Sequence, residues 1–175
     1  MGTDGRVVVG VDHTLSGLQA LRRAVAEARA RRQPLHAVRA WKPAPTSWYV
    51  SLAEQREHEA AAASQLVTEA FVETMGGVPT DLPVELIGKP GIPGEVLVEH
   101  ANRTDDLLVV GTGSRRFWRR WLRDNVAWYC LAWARCPVLV VPPPALTLDA
   151  SPRALRRQLH RELDRLLEPP GGKPA

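Results

Sequence analysis

The chain is short of most features that would advertise a function. Only two cysteines occur among 175 residues, Cys130 and Cys136, with no histidine or cysteine at metal-ligand spacing beside them. This argues against a metal site or a disulfide framework. It predicts two reduced, buried thiols, one on a helix and one just before a strand. No stretch approaches the ~20 apolar residues that cross a bilayer. The start, MGTDGRVVVGVD, lacks the charged-then-apolar layout of a secretory leader, so a cytoplasmic protein is expected. It also lacks the Ser or Thr that a myristoylation signal needs at its sixth position. His13, His36, His58, His100 and His160 are scattered, and no nucleophile–base pair can be assembled around them. No catalytic residue is therefore assigned. There is no internal repeat.

What remains is an ordinary globular composition, 45% hydrophobic and 24% charged, at a length that suits one domain and a tail. Valine-rich runs alternate with helical patterns. RVVVGVD (Arg6 to Asp12) is a continuous apolar run, as expected of a strand buried on both faces. A helix follows, with Ser16 and Gln19 in capping-box spacing and Leu18, Leu21, Val25 and Ala28 on one face. PLHAVRAW (34–41) reads as a second strand, followed by a proline-rich loop. Glu54 to Met75 reads as a long helix ended by Gly76 and Gly77. VELIG (84–88) is the third strand. A helix entered near Pro93 follows, since proline suits a first helical turn. DLLVVG (106–111) is the fourth strand. A helix over 124–133 carries a stripe of Val126, Tyr129, Cys130 and Trp133, and CPVLVVPP (136–143) is the fifth strand. Strands alternating with helices predict an α/β fold with a parallel sheet and right-handed crossovers. Residues 1–144 form the expected domain. Residues 145–175 form a tail whose Leu155, Leu159, Leu163 and Leu166 fall at the spacing of an amphipathic helix.

In order and spacing, VVVGVD, LLVVG and ARCPVLVVPP resemble the universal stress protein family over about Arg6 to Pro143. The resemblance implies a Rossmann-like five-stranded parallel sheet of order 3-2-1-4-5. It also implies a homodimer formed through the last strand. Many members bind ATP, and others do not. ATP binders carry an acid at the end of the first strand. They also carry a glycine, two residues, a second glycine, nine residues, and a third glycine followed by Ser or Thr. Carried onto this chain, Asp12 matches the acid and Gly111 the first glycine. Ser114 stands at the second glycine, Asp124 at the third and Asn125 at the Ser/Thr. Gly113 lies one position before the second. Val11, Ala40 and Arg115 complete the implied nucleotide contacts.

The departures have physical weight. Glycine in a phosphate loop lets N–H groups converge and the backbone approach oxygen. Ser114 limits both. Asp124 would open a helix, where the dipole favours an anion, and would fill that place with the protein's own carboxylate. At ~5 Å and an effective dielectric near 20, repulsion of a phosphate oxygen is about 3 kcal/mol per unit charge pair. Arg115, Arg116, Arg119, Arg120 and Arg123 pull the other way, while Phe117, Trp118 and Trp121 bring bulk. Three readings stand from the sequence. One is a non-catalytic stress-response regulator with a degraded or altered ATP loop. Another is an ATP-binding member using Asp12 and Gly111, with weak hydrolysis by family likeness at most. The third is anion or nucleic-acid binding through the arginine–tryptophan stretch.

Overall fold

A computed structural model describes residues 5–42, 52–113 and 126–144. Their elements follow the order β1 (Val7–Gly10), α1 (Leu15–Arg31), β2 (Leu35–Trp41), α2 (Leu52–Met75), β3 (Val84–Pro90), α3 (Pro93–His100), β4 (Leu107–Gly111), α4 (Val126–Trp133) and β5 (Val138–Val141). All nine lie in the compact unit Met1–Pro143. The strands pair in parallel in the order β3-β2-β1-β4-β5. The expected sheet is therefore present.

The valine runs are continuous because both faces of the sheet are covered. Val7, Val9, Leu35, Ala37, Leu107 and Val109 meet Leu21, Val25, Val67 and Phe71 on the side of α1 and α2. Val8, Val38, Leu108 and Val110 meet Val96, Leu97, Ala127 and Cys130 on the side of α3 and α4. Alternate residues of one strand serve opposite cores, so none can be polar without exposing a cost on one side. β3 runs two residues further than the sequence suggested and ends on Pro90, paired with Trp41. Proline is tolerated there because β3 is an edge strand.

Three expectations need correction. The cap of α1 is Thr14, not Ser16: the Thr14 hydroxyl accepts from the Gly17 N–H at 3.1 Å. Ser16 lies inside the first turn, buried, with its hydroxyl turned to the Gly113 carbonyl instead. On α4 the inward residues are Ala127 and Cys130, while Trp133 is 66% exposed and Trp128 and Leu131 stand out beside it. Small residues are turned inward because α4 lies close on α3, where the Tyr129 ring sits against Gly94. Finally, the histidines are not all scattered: His36 and His100 meet ring to ring across β2 and α3.

The two cysteines are free and buried, one on α4 and one before β5. Burial, joined by the neighbouring Cys136 thiol, pushes the Cys130 thiol up to about 12. At the amino ends of β1 and β4, Arg6 and Asp106 form a buried ion pair at 2.8 Å. Asp106 also accepts from the Arg6 and Arg103 backbone N–H groups. Burial alone would raise the Asp106 carboxyl, but these bonds outweigh it and hold the group below its usual range.

Candidate functional site

The strand order fixes where a crevice can form. From β1 the chain moves outward to β2 and β3, then returns to place β4 on the other side of β1. The loops leaving β1 and β4 at their carboxyl ends therefore part in opposite directions, and in open α/β sheets ligands bind at such a switch point.

The residues at that point are held by short, specific contacts. Asp12 lies two residues beyond the end of β1. Its Oδ1 accepts from the Thr14 backbone N–H at 3.0 Å and the Thr14 hydroxyl at 2.6 Å. Thr14 in turn caps α1 at Gly17. One carboxylate oxygen thus organises the turn, and Asp12 is exposed. Gly111, the last residue of β4, lies against this turn. A Cβ there would stand 2.7 Å from the Ser16 carbonyl carbon and 2.8 Å from the Gly17 nitrogen. A Cβ on Gly17 would collide with the Asp12 carboxylate. Both glycines let three backbone segments meet where any side chain would separate them. Gly113 has φ 73°, in the left-handed region where glycine is favoured, and among the described residues no atom beyond its own and adjoining residues stands within 4 Å of where its Cβ would be. The Ser16 hydroxyl donates to the Gly113 carbonyl at 3.3 Å and shares a 3.2 Å contact with Thr14 Oγ1.

The structure therefore brings Asp12, Gly111 and Gly113 into one group, linked through the first turn of α1. Val11 is beside them, but its side chain is in the core. Its N–H donates to the Val38 carbonyl at 2.9 Å and its own carbonyl accepts from Arg39 at 3.3 Å. Ala40 packs with the cluster beneath α3 and α4. Ser114, Arg115 and Asn125 lie outside the described residues, as do Asp124 and the arginine–tryptophan stretch. Sequence reasoning missed Thr14, Gly17 and Arg39. The hydroxyls at Thr14 and Ser16, alternating after an acid at a strand end, were the available signal for the first. Arg39 was visible as the one cation in an apolar strand.

Among the described residues no group of three or more His, Cys, Asp or Glu side chains could hold a metal ion. No helix among them is long and apolar enough to cross a membrane.

The family model described as the universal stress protein family matches residues 5–142. The chain belongs to this family. No curated protein matches it. Among solved structures, a universal stress protein in complex with cAMP is 26% identical at a TM-score of 0.58, over 80% of this chain and 98% of that one. UspA from Lactobacillus plantarum is 24% identical at a TM-score of 0.55, over 78% and 97%. A universal stress protein family protein from Arabidopsis thaliana with AMP bound is 20% identical at a TM-score of 0.53, over 85% and 97%. The last two show a shared fold.

Proposed function

We propose that this universal stress protein is a non-catalytic, cytoplasmic regulator that binds an adenine nucleotide carrying a single phosphate and disfavours ATP. The observation that carries the reading is the junction of β1, β4 and α1. There Gly111 packs on Ser16 and Gly17, and an exposed Asp12 stands at the switch point. With Oδ1 committed to Thr14, Asp12 offers its other oxygen to a ribose hydroxyl or a base N–H. Among the described residues, no side chain crowds the Gly113 backbone beside it. These residues fit the nucleoside half of the ligand. The cAMP complex of a relative 26% identical to this chain supports the choice of class.

The phosphate half argues for brevity. By the resemblance, Asp124 replaces a glycine of the ATP-binding pattern, and a carboxylate ~5 Å from an outer phosphate would repel it by about 3 kcal/mol per charge pair. That is roughly a hundredfold in affinity. A nucleotide ending at its first phosphate stops short of the repulsion. The proposal includes a homodimer built through β5.

Calorimetric titration with AMP, cAMP and ATP tests this. Expected are saturable heats for AMP or cAMP, ATP weaker by roughly a hundredfold, and recovery of ATP binding in Asp124→Gly. ATP binding as tightly as AMP overturns it. So does an absence of heat with all three at sub-millimolar concentration, which leaves a regulator that has dropped the nucleotide.

A further inference from the structure

On the face covered by α3 and α4, residues of β2, β3 and α3 meet in a group that the nucleotide reading does not use. His36 lies on β2 and His100 is the last residue of α3. His36 Nδ1 stands 3.0 Å from His100 Nε2, with ring centroids 5.2 Å apart. Lys89 Nζ, from β3, is 3.1 Å from His100 Nδ1. Glu85 Oε2, also from β3, is 3.4 Å from His36 Nδ1. The Arg6 guanidinium donates to the His100 carbonyl at 2.9 Å. Proton placement follows from donor and acceptor chemistry. An ammonium only donates, so His100 Nδ1 accepts from Lys89. A neutral His100 then carries its proton on Nε2 and donates to His36 Nδ1. The chain Lys89 to His100 to His36 has one direction and ties three elements together, provided His36 Nδ1 is free of a proton.

We propose that this imidazole pair is an acid-released clasp on α3: protonation of His36 at Nδ1 ends its acceptor role toward His100, passes the hydrogen bond to Glu85, and frees the carboxyl-terminal end of α3 from β2.

The surroundings favour the neutral pair. Burial opposes a charge on His36; Arg6 and Arg103 oppose it further, while Glu85 and Asp106 favour it, and the net direction is downward. For His100, burial, then Lys89, His36 and Arg6, push the imidazole down from 6.5 to about 4, with Asp106 opposing. The sign follows directly. Both imidazoles are held below 6.5 in the clasp, so the released end binds more protons than the clasped one once pH falls below that value. Release is thus favoured as pH falls below 6.5, until the lowered values in the clasp are passed. The clasp also reaches the Asp12 end of the sheet. Leu97, in the same helix, packs over Gly10, where a Cβ would lie 2.7 Å from its Cδ1.

Hydrogen exchange followed by NMR at pH 7 and pH 5, corrected for intrinsic rates, reads the clasp directly. Amides from Leu97 to Ala101 are expected to exchange on the order of tenfold faster at pH 5, after allowance for solvent screening at the partly buried rings. Val8 and Val109 are expected to keep their protection. The double variant His36→Gln, His100→Gln is expected to lose the pH dependence. Protection that ignores pH, a loss shared equally by Val8 and Val109, or pH dependence retained in the double variant overturns the proposal. Should that variant not fold, the ring nitrogen shifts of the wild-type protein decide. An unprotonated His36 Nδ1 at pH 7 that gains a proton as the α3 amides open supports the clasp. A proton already on that nitrogen at pH 7 overturns it.

Discussion

Asp106 joins the starts of β1 and β4 with one side chain. It is fully buried, and its partner Arg6 is 16% exposed. Asp106→Ala would leave a guanidinium largely out of water without its counter-charge, so a loss of about 3–5 kcal/mol is expected in urea unfolding. The contribution also has a pH signature. A carboxyl held below its ordinary value of 3.8 stabilises the fold above that value and ceases to do so as pH falls through the lowered one. Arg29 and Asp81 supply the contrast. Their ion pair is as short, at 2.7 Å, but both side chains are about half exposed. Water already satisfies such groups, so Asp81→Asn is expected to leave the urea midpoint unchanged. Thr14→Ala removes the hydroxyl that caps α1 and is expected to cost about 1 kcal/mol by the same assay. It also takes two hydrogen bonds from the Asp12 turn's vicinity, the one to Asp12 Oδ1 and the one from Gly17.

At the scale of elements, α2 is held mainly by its second half. Val67, Ala70 and Phe71 are fully buried against the sheet and α1. Phe71→Ala is expected to lose about 3–5 kcal/mol, read as a lowered denaturant midpoint. All nine elements were legible in the sequence, because a strand covered on both faces must be continuously apolar and a helix must repeat every three or four residues. Part of the candidate site was legible too: of the residues the sequence proposed, Asp12, Gly111 and Gly113 fall in one place. The rest was hidden for two reasons. Ser16 has the chemistry of a cap, and only the neighbouring Gly113 carbonyl shows why it is used elsewhere. His36 and His100 are 64 residues apart in the chain, and only parallel pairing with a crossover helix brings them to 3.0 Å. Trp133 looked inward by periodicity alone, but the packing of α4 on α3 turned Ala127 and Cys130 to the core.

At the largest scale, the outer edge of β5, the last strand of the described sheet, is the feature with the widest reach. Leu108 N–H donates to the Pro137 carbonyl and Thr112 N–H to the Val141 carbonyl. In a parallel ladder the intervening residues Val138 and Val140 then direct their backbone groups away from β4. These form the edge through which the proposed dimer would pair. Val140→Pro removes an outward N–H without touching an inner ladder bond. Sedimentation is expected to show a dimer for the wild-type chain and a folded monomer for this variant. A dimer that survives the substitution would place the contact elsewhere.

Cys130 and Cys136 give the fold a stopwatch of its own. Both thiols are native, shut away from solvent, and Cys130 holds its proton until about 12. An alkylating dye in neutral buffer can then reach them only when the shell of α4 and β5 breathes, so the colour it develops times those openings with no label engineered in.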